Sequence, residues 1–276
     1  MANNRSESFV KRAYSVKRRF LGMYRAAHAG HIACGLSCAD LLVFLKFHWM
    51  GEKDSLILSK GHAAAALYSL LAEAGELPEA EIATFYRDGT LLGAHPPVGR
   101  IKGIPFATVS LGHGLPIASG MAYAAALKGE DRTVFCVTSD GELDEGSIWE
   151  SALFMAQHRQ ANVVWLIDRN RLQGFGRTEE VIGLEPLDLK LKAFGLFVVE
   201  ADGHDFVALE RAKELCLSSD EAAGKPKVMI CNTIKGHGVS FMEDQVAWHY
   251  LPMDDSQYDQ ALKELNDQYE KDLNGQ

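Results

Sequence analysis

The strongest pattern of apolar and polar positions lies between residues 133 and 174. Two apolar runs, at residues 134–138 and 163–167, are short and rich in β-branched residues, which is typical of strands buried on both faces. Between them, the apolar residues recur at the spacing of one helix face: Ile148, Trp149, Ala152, Leu153 and Ala156. The pattern therefore predicts a strand–helix–strand crossover, which joins two parallel strands.

The same periodicities predict the remaining elements. Further strands are expected at residues 55–58, 196–200 and 227–232. Helices are expected at about residues 6–28, from an N-cap at Ser37 to Leu45, and at 116–127, 206–217 and about 254–272. Strands that alternate with helices predict an α/β fold, with an open, mostly parallel sheet and helices on both faces. At 276 residues and 47% hydrophobic content, the chain is long enough to form a single domain over residues 1–276.

Polar residues stand where the two central strands end. Asp140 and Gly141 follow the first of these strands, and Asn170 follows the second. Because the carboxyl ends of parallel strands share one edge, where open α/β sheets bind ligands, these side chains are expected to lie side by side. A carboxylate and an amide oxygen suit Mg²⁺, which completes its coordination with phosphate oxygens and water. The alternative is that Asp140 only caps a helix and Asn170 only forms a turn.

Charge and composition argue against several classes of protein and of binding site. The formal net charge is 28 − 37 = −9, which argues against a general nucleic-acid binder. The five cysteines form no Cys-x-x-Cys pair and are expected to be reduced and buried, as in a cytoplasmic protein. No apolar run is expected to span a membrane, and no signal core is seen at the amino terminus. The ten histidines lack the tight Cys/His spacing of a zinc site.

A family resemblance enters with the central motif. Asp140-Gly141 followed thirty positions later by Asn170 resembles the thiamine-diphosphate motif, and residues 140–150 and 168–173 are similar to the amino-terminal subunit of split transketolases. The resemblance implies the thiamine-diphosphate-binding fold of the PP type. It also implies that Asp140, Asn170 and the carbonyl of Leu172 bind Mg²⁺ or another divalent cation such as Ca²⁺ or Mn²⁺.

Other motifs extend the resemblance along nearly the whole chain. They are Gly30-His31, Ser59-Lys60-Gly61-His62, Gly93-Ala94-His95-Pro96, Ser110-Leu111-Gly112 and Trp248-His249. The implied catalytic residues are His31, His62, His95, His249 and Glu145. The implied cofactor contacts are His62, Leu111, Gly112, Asp140, Gly141, Glu142, Glu145, Asn170 and His249. Imidazoles can move protons near neutral pH. His237, in the loop after the last strand, is expected to be a solvated loop residue.

The resemblance implies transfer of a two-carbon ketol unit from a ketose or ketose phosphate to an aldose or aldose phosphate. The family's pyrimidine-binding domain has no counterpart in this sequence, so a separate subunit is expected to complete the site in a heterotetramer. The chain is then inactive alone. Two alternatives remain open: the α subunit of a 2-oxo-acid dehydrogenase, and a non-catalytic cofactor-binding subunit.

Three positions depart from the family pattern. Ser139 replaces the glycine before Asp140, Val109 stands where glycine is common, and Arg171 replaces the glycine after Asn170. At Arg171, either the turn is not left-handed or the residue is strained. The glycine-containing segment 171–186 is predicted to be a mobile loop over the metal edge that orders when cofactor binds.

Overall fold

The central sheet is built from the apolar runs that the sequence indicates. The computed structural model describes residues 2–274, and side chains from residue 7 onward. In this part of the chain the sheet has five strands, all parallel, in the order β1-β2-β3-β5-β4. The strands are β1 (Ser55–Leu58), β2 (Val134–Ser139), β3 (Val163–Arg169), β4 (Phe197–Asp202) and β5 (Lys227–Asn232). All the predicted strands are confirmed, with boundaries shifted by at most two residues.

Ten α-helices are found in the described residues, and they connect or flank the strands. They are α1 (Ala2–Ala27), α2 (Ile32–Phe44), α3 (Ala64–Glu73), α4 (Glu79–Ile82), α5 (Gly114–Leu127), α6 (Gly146–Gln157), α7 (Thr178–Val181), α8 (Leu187–Ala193), α9 (Phe206–Ser218) and α10 (Asp255–Asn274). A π-helical turn, Leu45–Trp49, continues α2. The long connection between α4 and α5 lacks regular structure, as its glycine and proline content indicates.

Alternating strand residues pack into two separate hydrophobic cores, because neighbouring side chains on a strand point to opposite faces of the sheet. On one face, residues such as Phe135, Leu166 and Met229 pack with α1, α2, α3, α9 and α10. On the other face, residues such as Cys136, Trp165 and Ile230 pack with α5, α6 and α8. The predicted α/β fold with helices on both faces is therefore confirmed.

Helix α2 differs from the prediction. It begins at Ile32, after His31 in a left-handed conformation (φ 71°), so Ser37 is not its N-cap. Ser37 lies inside the helix and is fully buried. The helix extends further back because Ile32, Ala33 and Leu36 are all core residues. An N-cap assigned from residue type alone placed the start too late in the chain.

The expectation about apolar runs also needs correction. The 18 residues Ile32–Trp49 are apolar enough to cross a membrane by length and composition, with a mean hydropathy of 1.4. In the structure, 78% of this segment is buried inside the protein. Its apolar surface is satisfied by α1, α3 and the sheet, so it packs as the central helix of the larger core.

His237 is not the solvated residue expected from the sequence. Its ring is half-buried and stacks on His204, with ring centroids 3.6 Å apart. His204 Nδ1 donates to Asp40 Oδ2 (2.7 Å), and its Nε2 accepts from the Ile234 backbone N–H (3.0 Å). Lys17 Nζ binds both Asp40 carboxylate oxygens, at 2.8 and 2.9 Å.

This cluster ties the β5 loop to α1 and α2. Its Asp40, His204 and His237 atoms lie close enough to hold a metal ion. However, Lys17 already supplies the positive charge, and both ring nitrogens of His204 are engaged. The arrangement therefore joins the loop that follows β5 to α1 and α2, and Asp40 has its positive partner without an ion.

Candidate active site

The ends of β2 and β3 bring the two predicted metal residues into one place. Ser139 pairs with Asp168 in the sheet register, and the Asp140 backbone N–H donates to the Asp168 carbonyl (3.2 Å). The Asp140 carboxylate then accepts the backbone N–H groups of Gly141 (2.8 Å) and Arg171 (2.5 Å). The strand crossover thus places the Asp140 side chain against the turn that begins at Asn170.

Asn170 and Leu172 present oxygen atoms beside this carboxylate. Asn170 Nδ2 donates to Ser37 Oγ (3.1 Å), while Asn170 Oδ1 accepts from the Leu172 backbone N–H (3.1 Å). The Leu172 carbonyl accepts from Lys235 Nζ at 2.9 Å. Asp140, Asn170 and Leu172 are all buried, so their orientations are fixed by packing.

A cavity of about 200 Å³ lies at this edge. Seven of the predicted site residues line it: His62, Leu111, Asp140, Gly141, Asn170, Leu172 and His249. Cys34, Lys60 and Lys235, to which the sequence analysis gave no role, line it as well. Two buried lysines at a carboxyl-terminal sheet edge favour an anionic ligand.

Three predicted histidines form a cluster beside the cavity. The ring centroids of His31 and His249 are 5.2 Å apart, and each lies 5.6 Å from that of His62. Burial lowers the pKa of His31 and of His62 to about 4. Burial, together with the charges of Lys235 and Lys60, lowers the pKa of His249 to about 3. All three imidazoles are therefore neutral at pH 7.

Lys235 links this cluster to the sheet edge that carries Asp140, Asn170 and Leu172, which we call the metal edge. Its Nζ lies 2.7 Å from His249 Nδ1, in addition to its contact with the Leu172 carbonyl. Burial lowers the pKa of Lys235 from its ordinary value, although the nearby Cys34, Asp140 and Asp168 act in the opposite direction. An anion entering the cavity would stabilise the charged form of Lys235.

Five predicted residues do not line the cavity: His31, His95, Gly112, Glu142 and Glu145. Glu142 is fully buried and supports the 110–112 turn, because it accepts from the Gly112 N–H (2.8 Å) and from the Ser59 hydroxyl. Burial raises the pKa of Glu142 to about 7. Glu145 is exposed. His95 is half-buried, and its charge contributes to the lowered pKa of His31.

Two glycines are required where loops approach each other. A side chain at Gly30 would collide with the backbone carbonyl of Tyr250, and one at Gly61 would collide with that of Thr108. These approaches hold His31 and His62 at the sheet edge, with the His31 N–H donating to the His249 carbonyl (3.1 Å). The two Gly-His motifs are therefore explained by close backbone packing.

The structure shows the backbone or the exposure of each of the three residues that depart from the family pattern. Ser139 ends β2 with ordinary strand backbone, so a glycine is not needed there. Arg171 has φ 60°, which shows that the turn is left-handed, and its guanidinium donates to Asn232 Oδ1 (3.2 Å). Val109 is 63% exposed and lies two residues before Leu111, which lines the cavity.

The residues at this edge fit a hydrated divalent cation and a diphosphate. Burial and the neighbouring charge of Asp168 raise the pKa of Asp140 to about 6. Asp140 forms no ion pair with any basic side chain between residues 7 and 274, which leaves its carboxylate available to a cation. One carboxylate, one amide oxygen and one carbonyl match the oxygen ligands that Mg²⁺ prefers, with phosphate and water completing the set.

Sequence reasoning missed a buried network behind the metal edge. It consists of Ser37, Lys60, Asp168 and Thr233. Lys60 stands inside the identified motif Ser59-Lys60-Gly61-His62, so its position was a usable signal. Ser37 carried no such signal, because its partner Asp168 is 131 residues away.

Comparison with known proteins decides the family. Residues 25–272 match the family described as transketolase, thiamine diphosphate binding domain. The chain belongs to the transketolase family. The transketolase-type transferase class expected from the sequence is thereby confirmed, and the 2-oxo-acid dehydrogenase alternative is set aside.

Comparison with individual transketolases supports the same family assignment. The chain is 38% identical over 272 residues to an apulose-4-phosphate transketolase subunit of Actinobacillus succinogenes, covering 95% of this chain and 97% of the relative. It is 38% identical to a 6-deoxy-6-sulfo-D-fructose transketolase subunit of a Clostridium species, covering 86% and 88%. Against human transketolase, identity is 35% over 88% of this chain but only 40% of the human protein. The solved transketolase of Campylobacter jejuni superposes with a TM-score of 0.86 at 25% identity, over 94% of this chain and 42% of that one.

Proposed function

We propose that this chain binds the diphosphate end of thiamine diphosphate through Mg²⁺ and serves as one subunit of a two-subunit transketolase. The observation that best supports this proposal is that Asp140, Asn170 and the Leu172 carbonyl lie together at one sheet edge, beside Lys235. In this proposal these three residues ligate the metal. The whole of residues 1–276 acts as one thiamine-diphosphate-binding domain.

Around the metal, the cavity residues hold and orient the diphosphate. Lys235 donates to phosphate oxygens, and His62 and His249, which line the same cavity, contact the same group. Leu111 and Gly112 form the turn against which the rest of the cofactor rests, and Glu142 fixes that turn from below. The burial of these groups excludes water and strengthens each polar contact.

Thiamine diphosphate held by these residues would supply the carbanion chemistry needed to move a two-carbon unit between sugars. The protein residues manage protons and substrate hydroxyls. His31 and His62 are neutral at pH 7, so each can accept a proton from a hydroxyl and later return it. His249 Nδ1 accepts from Lys235 Nζ, so its Nε2–H is a donor to a substrate hydroxyl or a phosphate oxygen. His95, in the adjacent loop, is assigned to the substrate side of this group.

A separate pyrimidine-binding subunit completes the site in this proposal. Two relatives that match over most of their length are named as subunits, and this chain spans 40% of human transketolase. Large apolar side chains stand exposed at or near the cavity: Phe175, which lines it, is 86% exposed, and Val109, two residues before the lining residue Leu111, is 63% exposed. Such exposure is expected of a surface that a partner covers. Glu145 lies exposed on the same side and is assigned to a subunit contact.

The proposed assembly contains two copies of each subunit and works in the cytoplasm. All five cysteines lie in the described part of the chain and are buried and unpaired, which supports a reducing compartment. The substrates are proposed to be a ketose or ketose phosphate and an aldose or aldose phosphate. The relatives' names, apulose-4-phosphate and 6-deoxy-6-sulfo-D-fructose, support an anionic sugar.

The test is reconstitution of ketol transfer. Purified chain is assayed with Mg²⁺, thiamine diphosphate and sugar phosphates, alone and after co-expression with a pyrimidine-binding transketolase subunit. We expect no turnover by the chain alone, turnover by the pair, and loss of that turnover in Asp140→Asn. Turnover by the chain alone would contradict the partner requirement, and a stable but inactive pair would support a non-catalytic subunit instead.

A further inference from the structure

Ser37 joins the metal edge to a buried charge behind it. It is fully buried on α2, and its Oγ lies 2.6 and 2.9 Å from the two carboxylate oxygens of Asp168. The same Oγ accepts from Asn170 Nδ2 at 3.1 Å. One hydroxyl therefore connects Asp168 to a candidate metal ligand, although Asp168 itself does not line the cavity.

Asp168 can only accept hydrogen bonds. Its carboxylate is fully buried and forms an ion pair with Lys60 Nζ, which also donates to the Cys34 carbonyl (3.1 Å). The Thr233 hydroxyl donates to Asp168 as well. Because the carboxylate is charged and has no proton to give, the Ser37 hydroxyl must be the donor in their contact.

The direction of the Ser37–Asp168 hydrogen bond determines the orientation of the Asn170 amide. A serine hydroxyl has one proton, and here that proton is directed to Asp168, so Ser37 Oγ can only accept from its next neighbour. Asn170 must therefore turn its NH₂ group toward Ser37. Its Oδ1 then points the other way, toward the Leu172 N–H and the cavity. In the flipped amide, the amide oxygen would face an oxygen with no proton to give, and the NH₂ group would face the Leu172 N–H and the cation.

We propose that Asp168 and Ser37 are positioning residues that fix the amide of Asn170 with its oxygen toward the metal. The inference rests on the proposed metal site. The residues that surround a metal ligand commonly set its orientation in this way, and their loss weakens metal affinity by about 10–100-fold. The relay acts on binding, so its test does not depend on turnover.

The decisive experiment measures Mn²⁺ affinity in the presence of thiamine diphosphate, by electron paramagnetic resonance of free Mn²⁺. We expect Ser37→Ala to raise the Kd for Mn²⁺ by about 10–100-fold. Thr233→Val is the matched control, because it removes another donor to Asp168 and a 3.2 Å neighbour of Ser37 Oγ, but keeps the contacts of Ser37 with Asp168 and Asn170. Its Kd should rise much less than that of Ser37→Ala. Unchanged affinity in a folded Ser37→Ala, or an equal loss in Thr233→Val, would overturn the inference.

A double-mutant cycle separates orientation from general damage. In an Asn170→Asp background the ligand offers an oxygen in either orientation, so adding Ser37→Ala should cost no further affinity. A full additional loss in that background would contradict the relay. If wild type itself fails to bind Mn²⁺ with the cofactor, the metal site is overturned, and the inference with it.

A third measurement needs no Ser37 variant. In the ¹⁵N-labelled wild type, the side-chain amide signal missing from Asn170→Asp identifies Asn170. Because its NH₂ group is buried against Ser37, we expect its protons to exchange slowly with water. Fast exchange in the folded protein would overturn the inference even if Ser37→Ala cannot be purified.

Discussion

Arg171 occupies a backbone conformation that side chains rarely adopt. Its φ is 60°, and it immediately follows Asn170. A left-handed conformation costs a residue with a Cβ atom about 1–2 kcal/mol, and glycine avoids this cost. We therefore predict that Arg171→Gly has a free energy of unfolding about 1 kcal/mol higher than Arg171→Ala. Both variants lose the contact with Asn232, so the comparison isolates the backbone. Equal denaturant midpoints would contradict a strained turn.

At the scale of residues, the sequence predicted chemistry that lies in short motifs. Asp140, Asn170 and the Gly-His pairs were identified because each motif keeps its spacing within a few residues. Ser37 was misassigned as an N-cap, because its partner Asp168 comes from a strand distant in the sequence. His237 was misassigned because its burial depends on Lys17, Asp40 and His204, which come from three other segments. Long-range packing of this kind leaves no local pattern.

At the scale of elements, the cluster of Lys17, Asp40, His204 and His237 makes stability depend on pH. Burial, with the charges of Lys17 and His204, lowers the pKa of His237 from 6.5 to about 3. Between these values the unfolded chain binds more protons than the folded one. The free energy of unfolding therefore falls as pH drops below 6.5, by up to about 1.4 kcal/mol per pH unit for this group.

The corresponding variant is His237→Asn, followed by urea unfolding between pH 4 and pH 7. We expect a shallower pH dependence than in wild type, whatever the stability at pH 7. His28→Asn is the control, since His28 is exposed and has a positive φ that asparagine tolerates, and it should keep the wild-type slope. An unchanged slope in His237→Asn would show that His237 is not buried in its neutral form.

The segment 171–186 is the element most closely tied to the metal edge. Asp140 Oδ2 accepts from the Arg171 N–H and from the Thr178 hydroxyl, so a cation at Asp140 would act directly on this loop. We predict slower hydrogen exchange across 171–186 after Mg²⁺ and thiamine diphosphate are added. Helix α10 serves as the internal reference, because it packs in the core on the α1 side of the sheet. Equal exchange rates with and without ligand would remove the hypothesis of an ordering loop.

At the scale of the whole molecule, the sheet and its two cores followed from the sequence. Each strand was predictable because parallel strands covered on both faces are continuous apolar runs. The strand order β1-β2-β3-β5-β4 was not predicted, because runs of similar apolar residues do not state which neighbours they pair with. The cavity likewise became visible only when loops from four strands and α2 were assembled at one edge.

The central claim is that this chain contributes the complete metal and diphosphate site. Asp140, Asn170, Leu172 and Lys235 all belong to it, so the purified chain should bind cofactor without a partner. The most direct test is a calorimetric titration with thiamine diphosphate, with and without Mg²⁺, in wild type and Asp140→Ala. We predict binding by wild type that requires Mg²⁺ and is lost in Asp140→Ala. Binding that is independent of Mg²⁺, or that persists in Asp140→Ala, would contradict the account.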